Sequence, residues 1–284
     1  LTPGESVGVI GLGLIGQITV QLLKAYGFPV LGLDISKSRI DEASAQGMDA
    51  GAIVGTDDCA AIAQSFSGGY GLDAAIITAA SNDSSPVELA GEIVREHGRV
   101  SAVGDVGMEI PRRVYYPKEI DFRISRSYGP GRYDTSYEEN GLDYPLPWVR
   151  WTEQRNMQEF LRLVEAGSVR PEKLVTHSFK IADAEQAYTL VGTNPKHESF
   201  LAVLVEYPTQ SESPIQTIVL PTAKTIKPSG SLRCGLIGAG NFMAGTIVPA
   251  ITKIVDAQIT TVASARGLSA KNLATKVGAQ TATS

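Results

Sequence analysis

Residues 7–16 read VGVIGLGLIG, four apolar residues followed at once by glycines at positions 11, 13 and 16. From Ile15 to Tyr26 the apolar positions Ile15, Ile18, Leu22 and Leu23 recur at helical spacing. The stretch therefore reads as strand, tight glycine turn, helix. FPVLGLD at 28–34 reads as a second buried strand ending in an acid, and residues 36–47 as a helix with Ser36 as N-cap and Gly47 as its stop. The alternation continues through AGAIVG (50–55), a polar helix over 56–66, the strand LDAAIITAA (72–80), a helix from Pro86 to His97, the strand 98–107 and a sixth strand over 120–129. Strands separated by helix-length segments imply right-handed crossovers, hence an α/β fold with a doubly wound parallel sheet of order 3-2-1-4-5-6.

A G-x-G-x-x-G turn binds a dinucleotide for definite reasons. Gly11 permits the turn, Gly13 lets the backbone approach a pyrophosphate, Gly16 lets helix and strand pack closely, and the helix start at Leu14 and Ile15 faces the anion. A chance strand–helix connection is the alternative, and the flanking elements argue against it. Asp34, 18 positions after Gly16 and followed by Ile35, would accept the adenosine ribose hydroxyls and repel a 2'-phosphate, which favours NAD over NADP. The alternative for Asp34 is an ordinary strand-end or capping acid. Lys37 and Arg39 read either as a solvated helix start or as groups that hold a 2'-phosphate or lie against adenine. Ligands in such sheets sit at the carboxyl ends of strands, which adds Thr78, Ala79 and Ala80, and Val103, Gly104 and Asp105. Asp105 and Asp83 suit loop or capping roles as well as acids.

Beyond the sixth strand, residues 128–151 are rich in Gly, Pro, Tyr and charge without a period, a length of loop that is commonly functional. Tyr128, Arg132, Tyr133, Asp134, Tyr137, Tyr144 and Trp151 suit sugar hydroxyls and faces; a packed surface loop or a dimer contact is the equal alternative. Residues 152–167 read as a helix capped by Thr152, with Met157, Phe160, Leu161 and Val164 on one face and Gly167 as terminator. A strand (173–181), a helix begun by Asp183 and a strand (199–207) follow. Residues 208–231 hold four prolines and many Ser and Thr, and read as a linker interrupted by the strand-like IQTIVL (215–220).

The chain then restarts as LRCGLIGAGNFM, with a helix to about Val255, a strand over 258–265 and a helix from about Ser269 to Val277. The expected domains are 1–207, a linker at 208–231 and the opening of a second nucleotide-binding domain at 232–284. In the latter, Gly238, Gly240, Asn241 and Phe242 form the turn, and Ser264 and Arg266 stand where the first domain has its acid. Ser264 and Arg266 could suit a 2'-phosphate, so the second domain is expected to take NAD or NADP.

The 284 residues carry 30 acidic and 25 basic side chains, a net charge of −5, and so no field that would attract nucleic acid. Cys59 and Cys234 are read as buried small apolar residues rather than a disulfide or thiolate site. His97, His177 and His197 are the only histidines. His97 reads as a helix C-cap, and none stands at a metal-ligand spacing from a second ligand. No apolar run of membrane-spanning length and no signal-peptide pattern occur, which points to the cytoplasm. LTPGESVGVIG lacks an initiator Met and reads as an internal cut.

PGESVGVIGLGLIGQITVQLLKAYG, VLGLD, GRVSAVG and MQEFLRLVEAGSVRPEKLVTHSFKIADAEQAYTLV together resemble the cofactor half of the zinc-type, medium-chain alcohol dehydrogenase family over roughly residues 3–206. In that family the half that carries the zinc ligands lies mainly before this point, so the resemblance implies no zinc held here. LRCGLIGAGNFMAGTIVPAI is similar to the start of the glucose-fructose oxidoreductase and inositol dehydrogenase family. There Met243 departs from the usual Gly or Ala, and the family's catalytic Lys would lie beyond residue 284. The order looks like the two-domain bacterial oxidoreductases found with surface-polysaccharide genes. It implies a homo-oligomeric nicotinamide-dependent dehydrogenase of a sugar, cyclitol or nucleotide-sugar alcohol, of which this piece binds cofactor without completing a catalytic cycle. The alternative is a non-catalytic module that senses NAD.

Overall fold

The computed structural model describes residues 1–195, 198–208, 217–221 and 231–284, which divide by contacts into two compact units, Leu1–Glu206 and Tyr207–Ser284. In the first, the chain alternates β1 (Val7–Ile10), α1 (Leu14–Ala25), β2 (Val30–Asp34), α2 (Lys37–Ala45), β3 (Ala50–Ile53), α3 (Cys59–Phe66), β4 (Leu72–Ile77), α4 (Ser85–Ile93), β5 (Val94–Ala102), α5 (Arg112–Tyr115) and β6 (Asp121–Ile124). The six strands form one parallel sheet of order β3-β2-β1-β4-β5-β6, as the alternation predicts. β1 and the first four residues of β2 are buried throughout because helices cover both faces, and this is why VGVI and VLGL read as unbroken apolar runs. The core has two parts: Val7, Val9, Leu12, Val20 and Val30 pack under α1 and α2, and Ile10, Leu31, Leu33, Leu72, Ile77 and Ile93 form the other.

The predicted helix from Pro86 to His97 ends at Ile93, and β5 begins with the next residue. Its terminator is remote in sequence. Lys118 Nζ donates to the carbonyls of Gly91, Glu92 and Val94 at 2.9, 2.8 and 2.7 Å, occupying the end of α4 where a glycine cap is common. His97 is therefore not a helix cap. It lies within β5 at φ +52°, its Nδ1 3.4 Å from Glu119 Oε2.

The rest of the first unit contains α6 (Thr135–Glu138), α7 (Glu153–Glu165), β7 (Val175–Lys180), α8 (Ala184–Gly192) and β8 (Ala202–Glu206); β7 and β8 pair in parallel. Thr152 Oγ1 caps α7 by accepting from Arg155 N–H. The apolar face expected of α7 is not the buried one: Phe160 and Val164 are half-buried and Met157 and Leu161 exposed, whereas Leu163, outside that set, is buried. α7 is held instead through Tyr26, whose hydroxyl donates to Glu159 at 2.6 Å.

In the second unit, β9 (Thr217–Val219), β10 (Leu232–Ile237), α9 (Val248–Thr252), β11 (Ala257–Ala263), α10 (Gly267–Val277) and β12 (Thr281–Thr283) build a sheet of order β10-β11-β12-β9. The first three pair in parallel, and β9, from the stretch read as linker, adds antiparallel to β12. The helix expected to reach Val255 ends at Thr252 and opens with a wide π-turn at Met243–Ile247. The Met243 side chain packs against the unit's core there. Cys59 is buried, as expected, and Cys234 only half-buried.

Two anchors of the first unit are open to test. Replacing Lys118 by Met keeps the aliphatic stem but leaves three carbonyls without their donor, and should lower stability by about 1–3 kcal/mol in urea unfolding. Asp73 Oδ2 accepts from Ser6 N–H at 2.7 Å and its Oδ1 from Arg95 Nε at 2.8 Å, fixing the entry of β1 to β4. Burial pushes the Asp73 carboxyl up, but the bonds from Arg95 and Ser6 outweigh it and hold the pKa below the usual value. A depressed folded pKa stabilises above the unfolded pKa and loses that contribution as pH falls. The stability gap between the unmutated chain and Asp73→Asn should therefore be full at neutral pH and shrink as pH drops below about 4.

Candidate dinucleotide site

Three strand ends meet at the carboxyl edge of the first sheet. Gly11 turns at φ +91°, its N–H donating to the Leu33 carbonyl at 2.8 Å. A Cβ on Gly11 would stand 2.6 Å from the Ala79 backbone, and one on Gly16 would stand 2.0 Å from the Gly11 carbonyl oxygen. Both positions exclude any side chain. Gly13 differs, because a Cβ there would meet nothing within 4 Å; its space is open on the solvent side of the turn. Thr78 Oγ1 donates to the Gly11 carbonyl at 2.5 Å and ties the end of β4 to the turn.

α1 starts at Leu14 with Gly13 as N-cap and no side chain capping its first amides. Those amides, from Leu14 to Gly16, have no intrahelical partner and carry the positive end of a 12-residue helix dipole, so they are suited to an anion. Asp34 closes the far side of the turn. Its Oδ2 accepts from Leu12 N–H at 2.7 Å and its Oδ1 from Ser36 N–H at 2.8 Å. Each oxygen keeps a second lone pair for a ligand hydroxyl.

A cavity of about 450 Å³ opens here, lined on its polar side by Gly11, Gly13, Asp34, Thr78 and Ser81. Ile35, Val54, Pro86 and Leu89 give it an apolar wall. Gly11, Gly13, Asp34, Ile35, Thr78, Ala79 and Ala80 thus come together as the sequence predicts. Leu14 and Ile15 sit beside them on the first turn of α1, where Ile15 is exposed. Val103 and Gly104 follow the end of β5 next to Ala79: both amides donate to the Ile77 carbonyl at 2.9 Å, and a Cβ on Gly104 would stand 1.9 Å from the Ala79 carbonyl oxygen. They back the site without lining its cavity.

Arg39 is placed elsewhere. Its guanidinium pairs with Glu42 at 3.0 Å and donates to the Phe200 carbonyl at 2.5 Å, bonds that hold it to α2 and to the chain before β8 rather than in the cavity. Lys37 pairs with Asp41 on the exposed face of α2. One residue that the glycine pattern does not flag is Gln17, fully buried beneath the turn, whose Nε2 donates to the carbonyls of Leu12 and Arg39. The sequence carried no clear signal for it, since a second glutamine, Gln21, is buried one turn further along α1.

Polar groups of the loop at 128–151 pair with one another and with the start of α7. Tyr144 donates to Asp134 Oδ2 at 2.5 Å, which holds that carboxyl below its usual pKa, and the Tyr137 and Tyr144 rings stack at 5.5 Å. Arg132 pairs with Glu138 and lies 4.4 Å from the centroid of the Tyr133 ring. His177 lies in β7 with Nε2 3.8 Å from a Glu198 oxygen. His197 lies outside the described residues. Among the described residues no three of His, Cys, Asp or Glu converge as metal ligands.

The second unit repeats the geometry of the turn. Gly238 has φ +91° and donates to the Ala263 carbonyl at 2.7 Å, as Gly11 does to Leu33. A Cβ on Gly238 or Gly240 would meet nothing within 4 Å, and Asn241 and Phe242 are exposed beyond them. Ser264 N–H bonds to the Thr283 carbonyl at 3.1 Å, and Arg266 stands exposed at the N-cap of α10.

Residues 15–140 match the family model described as zinc-binding dehydrogenase. A probable D-xylulose reductase A of Emericella nidulans is 27% identical over 213 residues, which cover 71% of this chain and 51% of that protein. Among solved structures, the alcohol dehydrogenase TADH from Thermus sp. ATN1 superposes with a TM-score of 0.56 at 23% identity, covering 73% of this chain and 54% of its own. A protein described as a short chain alcohol dehydrogenase from E. coli CFT073, solved with NADH, superposes at 0.51 with 22% identity over 69% of this chain and 51% of its own. The first unit is therefore similar in fold to part of these dehydrogenases, and the chain spans about half the length of the curated relatives it matches. No helix among the described residues is long and apolar enough to cross a membrane.

The unequal space at the glycines separates folding from binding. Gly16→Ala, which forces a methyl onto the Gly11 carbonyl, should lower the thermal midpoint by several degrees, whereas Gly13→Ala should unfold like the unmutated chain and lose binding of NADH. Calorimetry paired with NADH titration measures both.

Proposed function

We propose that the first unit is the NAD-binding part of a dehydrogenase that transfers hydride between a nicotinamide and a sugar, cyclitol or nucleotide-sugar alcohol. One observation carries the reading: a glycine turn whose two crowded glycines bring an uncapped helix N-terminus and the Asp34 carboxylate to the rim of one cavity. The pyrophosphate would lie over Gly13 and the first turn of α1, the adenosine ribose hydroxyls on Asp34, and adenine against Ile35, Val54 and Leu89. Nicotinamide supplies the hydride chemistry when bound; these residues bind and orient it. A phosphate on the ribose would meet Asp34, and Arg39, already paired with Glu42 and Phe200, gives it no free cation there. NAD is favoured over NADP on that ground.

The polyol reading of the substrate draws support from the D-xylulose reductase among the relatives. The role in surface-polysaccharide metabolism rests on the order of the two units alone. The second unit is proposed as a further nucleotide-binding element for NAD or NADP, held by Gly238, Gly240, Asn241 and Phe242, with Ser264 and Arg266 as candidates for a 2'-phosphate. A cytoplasmic homo-oligomer is the setting this reading implies.

Titration with NADH and NADPH, followed by nicotinamide fluorescence, tests the central claim. NADH should bind at least about tenfold more tightly than NADPH, and Asp34→Ala should remove most of that preference. Failure of both cofactors to bind, or tighter binding of NADPH, would contradict the reading.

A further inference from the structure

Leu12 lies between Gly11 and Gly13, and side chains from outside the turn hold both of its backbone polar groups. Asp34 Oδ2 accepts from its N–H at 2.7 Å. Gln17 Nε2 donates one hydrogen to its carbonyl at 3.1 Å and the other to the Arg39 carbonyl at 3.0 Å, in the first turn of α2. The Gln17 side chain is fully buried, and its Oε1 has no hydrogen-bond partner among the described residues. An unpaired buried amide oxygen is costly, and a Met or Leu of similar volume would avoid that cost. What the glutamine supplies here, and an apolar residue cannot, is a pair of N–H donors that join the glycine turn to the first turn of α2.

The second unit offers an internal comparison. Ala244 N–H bonds to Gly240 O at 3.0 Å, matching Gln17 N–H to Gly13 O at 2.9 Å, so Ala244 occupies the position of Gln17. A methyl group cannot bridge two carbonyls, and Ser264 stands where Asp34 would. Among the described residues both holds on Leu12 are thus particular to the first turn and not consequences of the turn's geometry.

We propose that Gln17 is a positioning residue for dinucleotide binding: by tying the glycine turn, which takes the pyrophosphate, to the first turn of α2, it fixes the spacing between that turn and the β2–α2 loop just before the helix, which takes the adenosine ribose. The proposal rests on the dinucleotide reading above. Holding the turn in its bound shape before the ligand arrives removes an ordering cost from binding. The consequence differs between whole and half ligands. NADH engages both loops at once and depends on their spacing, whereas AMP is anchored by its adenosine at the second loop.

The test titrates NADH and AMP against the unmutated chain, Gln17→Met and Gln17→Glu. Gln17→Met should raise the NADH Kd about tenfold and leave the AMP Kd within about twofold. A glutamic acid at this position can donate one hydrogen bond when protonated and repels both carbonyls when ionised, so burial should raise its pKa. The NADH affinity of Gln17→Glu should therefore fall between pH 6 and 8, a range over which the unmutated chain holds steady. Equal weakening of NADH and AMP, unchanged NADH binding by Gln17→Met, or a Gln17→Glu pH profile matching the unmutated chain would each overturn the proposal. If Gln17→Met does not fold, the pH profile decides. Failure of the unmutated chain to bind NADH overturns the dinucleotide reading itself, and the proposal with it.

Discussion

The approach of α1 to the end of β1 is the contact on which the site depends. At Gly16 the helix comes so near the Gly11 carbonyl that even a methyl would stand 2.0 Å from it. That closeness leaves the first amides of α1 pointing out over the sheet edge, with no residue able to cap them from within the turn. The same crowding recurs laterally, where Gly11 abuts Ala79 and Gly104 abuts the Ala79 carbonyl, so the ends of β1, β4 and β5 are drawn into one floor. Small residues here are a packing requirement of the sheet edge, and the open groove is its result.

Around this floor, hydrogen bonds fix what sterics leave free. Asp34 and Gln17 grip Leu12 from opposite sides, and Thr78 holds the Gly11 carbonyl. Among the described residues the second unit has the same turn without these restraints. It also has Met243 where the first has Gly16, and there the helix widens into a π-turn as the methionine packs against the core. The two turns share a backbone conformation and differ in how firmly they are held.

The parallel sheet and the glycine turn were legible in the sequence because each leaves a local pattern. Strands buried on two faces are unbroken apolar runs, and a turn at φ +91° that touches a neighbouring strand admits only glycine. What escaped depended on remote partners. The end of α4 is set by Lys118, some 25 residues on, and no residue near Ile93 announces it. Arg39 looked available for a ligand until Glu42 and the Phe200 carbonyl were found to hold it. The face of α7 was read from its period alone, and periodicity gives which residues share a side but not what covers it. Gln17 was passed over because a polar residue within a helix pattern looks like surface until its burial is known.

The most direct measurement is the amide chemical-shift change of the ¹⁵N-labelled chain on adding NADH. Binding as described should perturb the amides from Gly11 to Gly16 and from Asp34 to Ser36, with changes extending to Thr78 and Ala79. Perturbations confined to residues outside this edge of the first sheet, or none at saturating NADH, would contradict the assignment of the site.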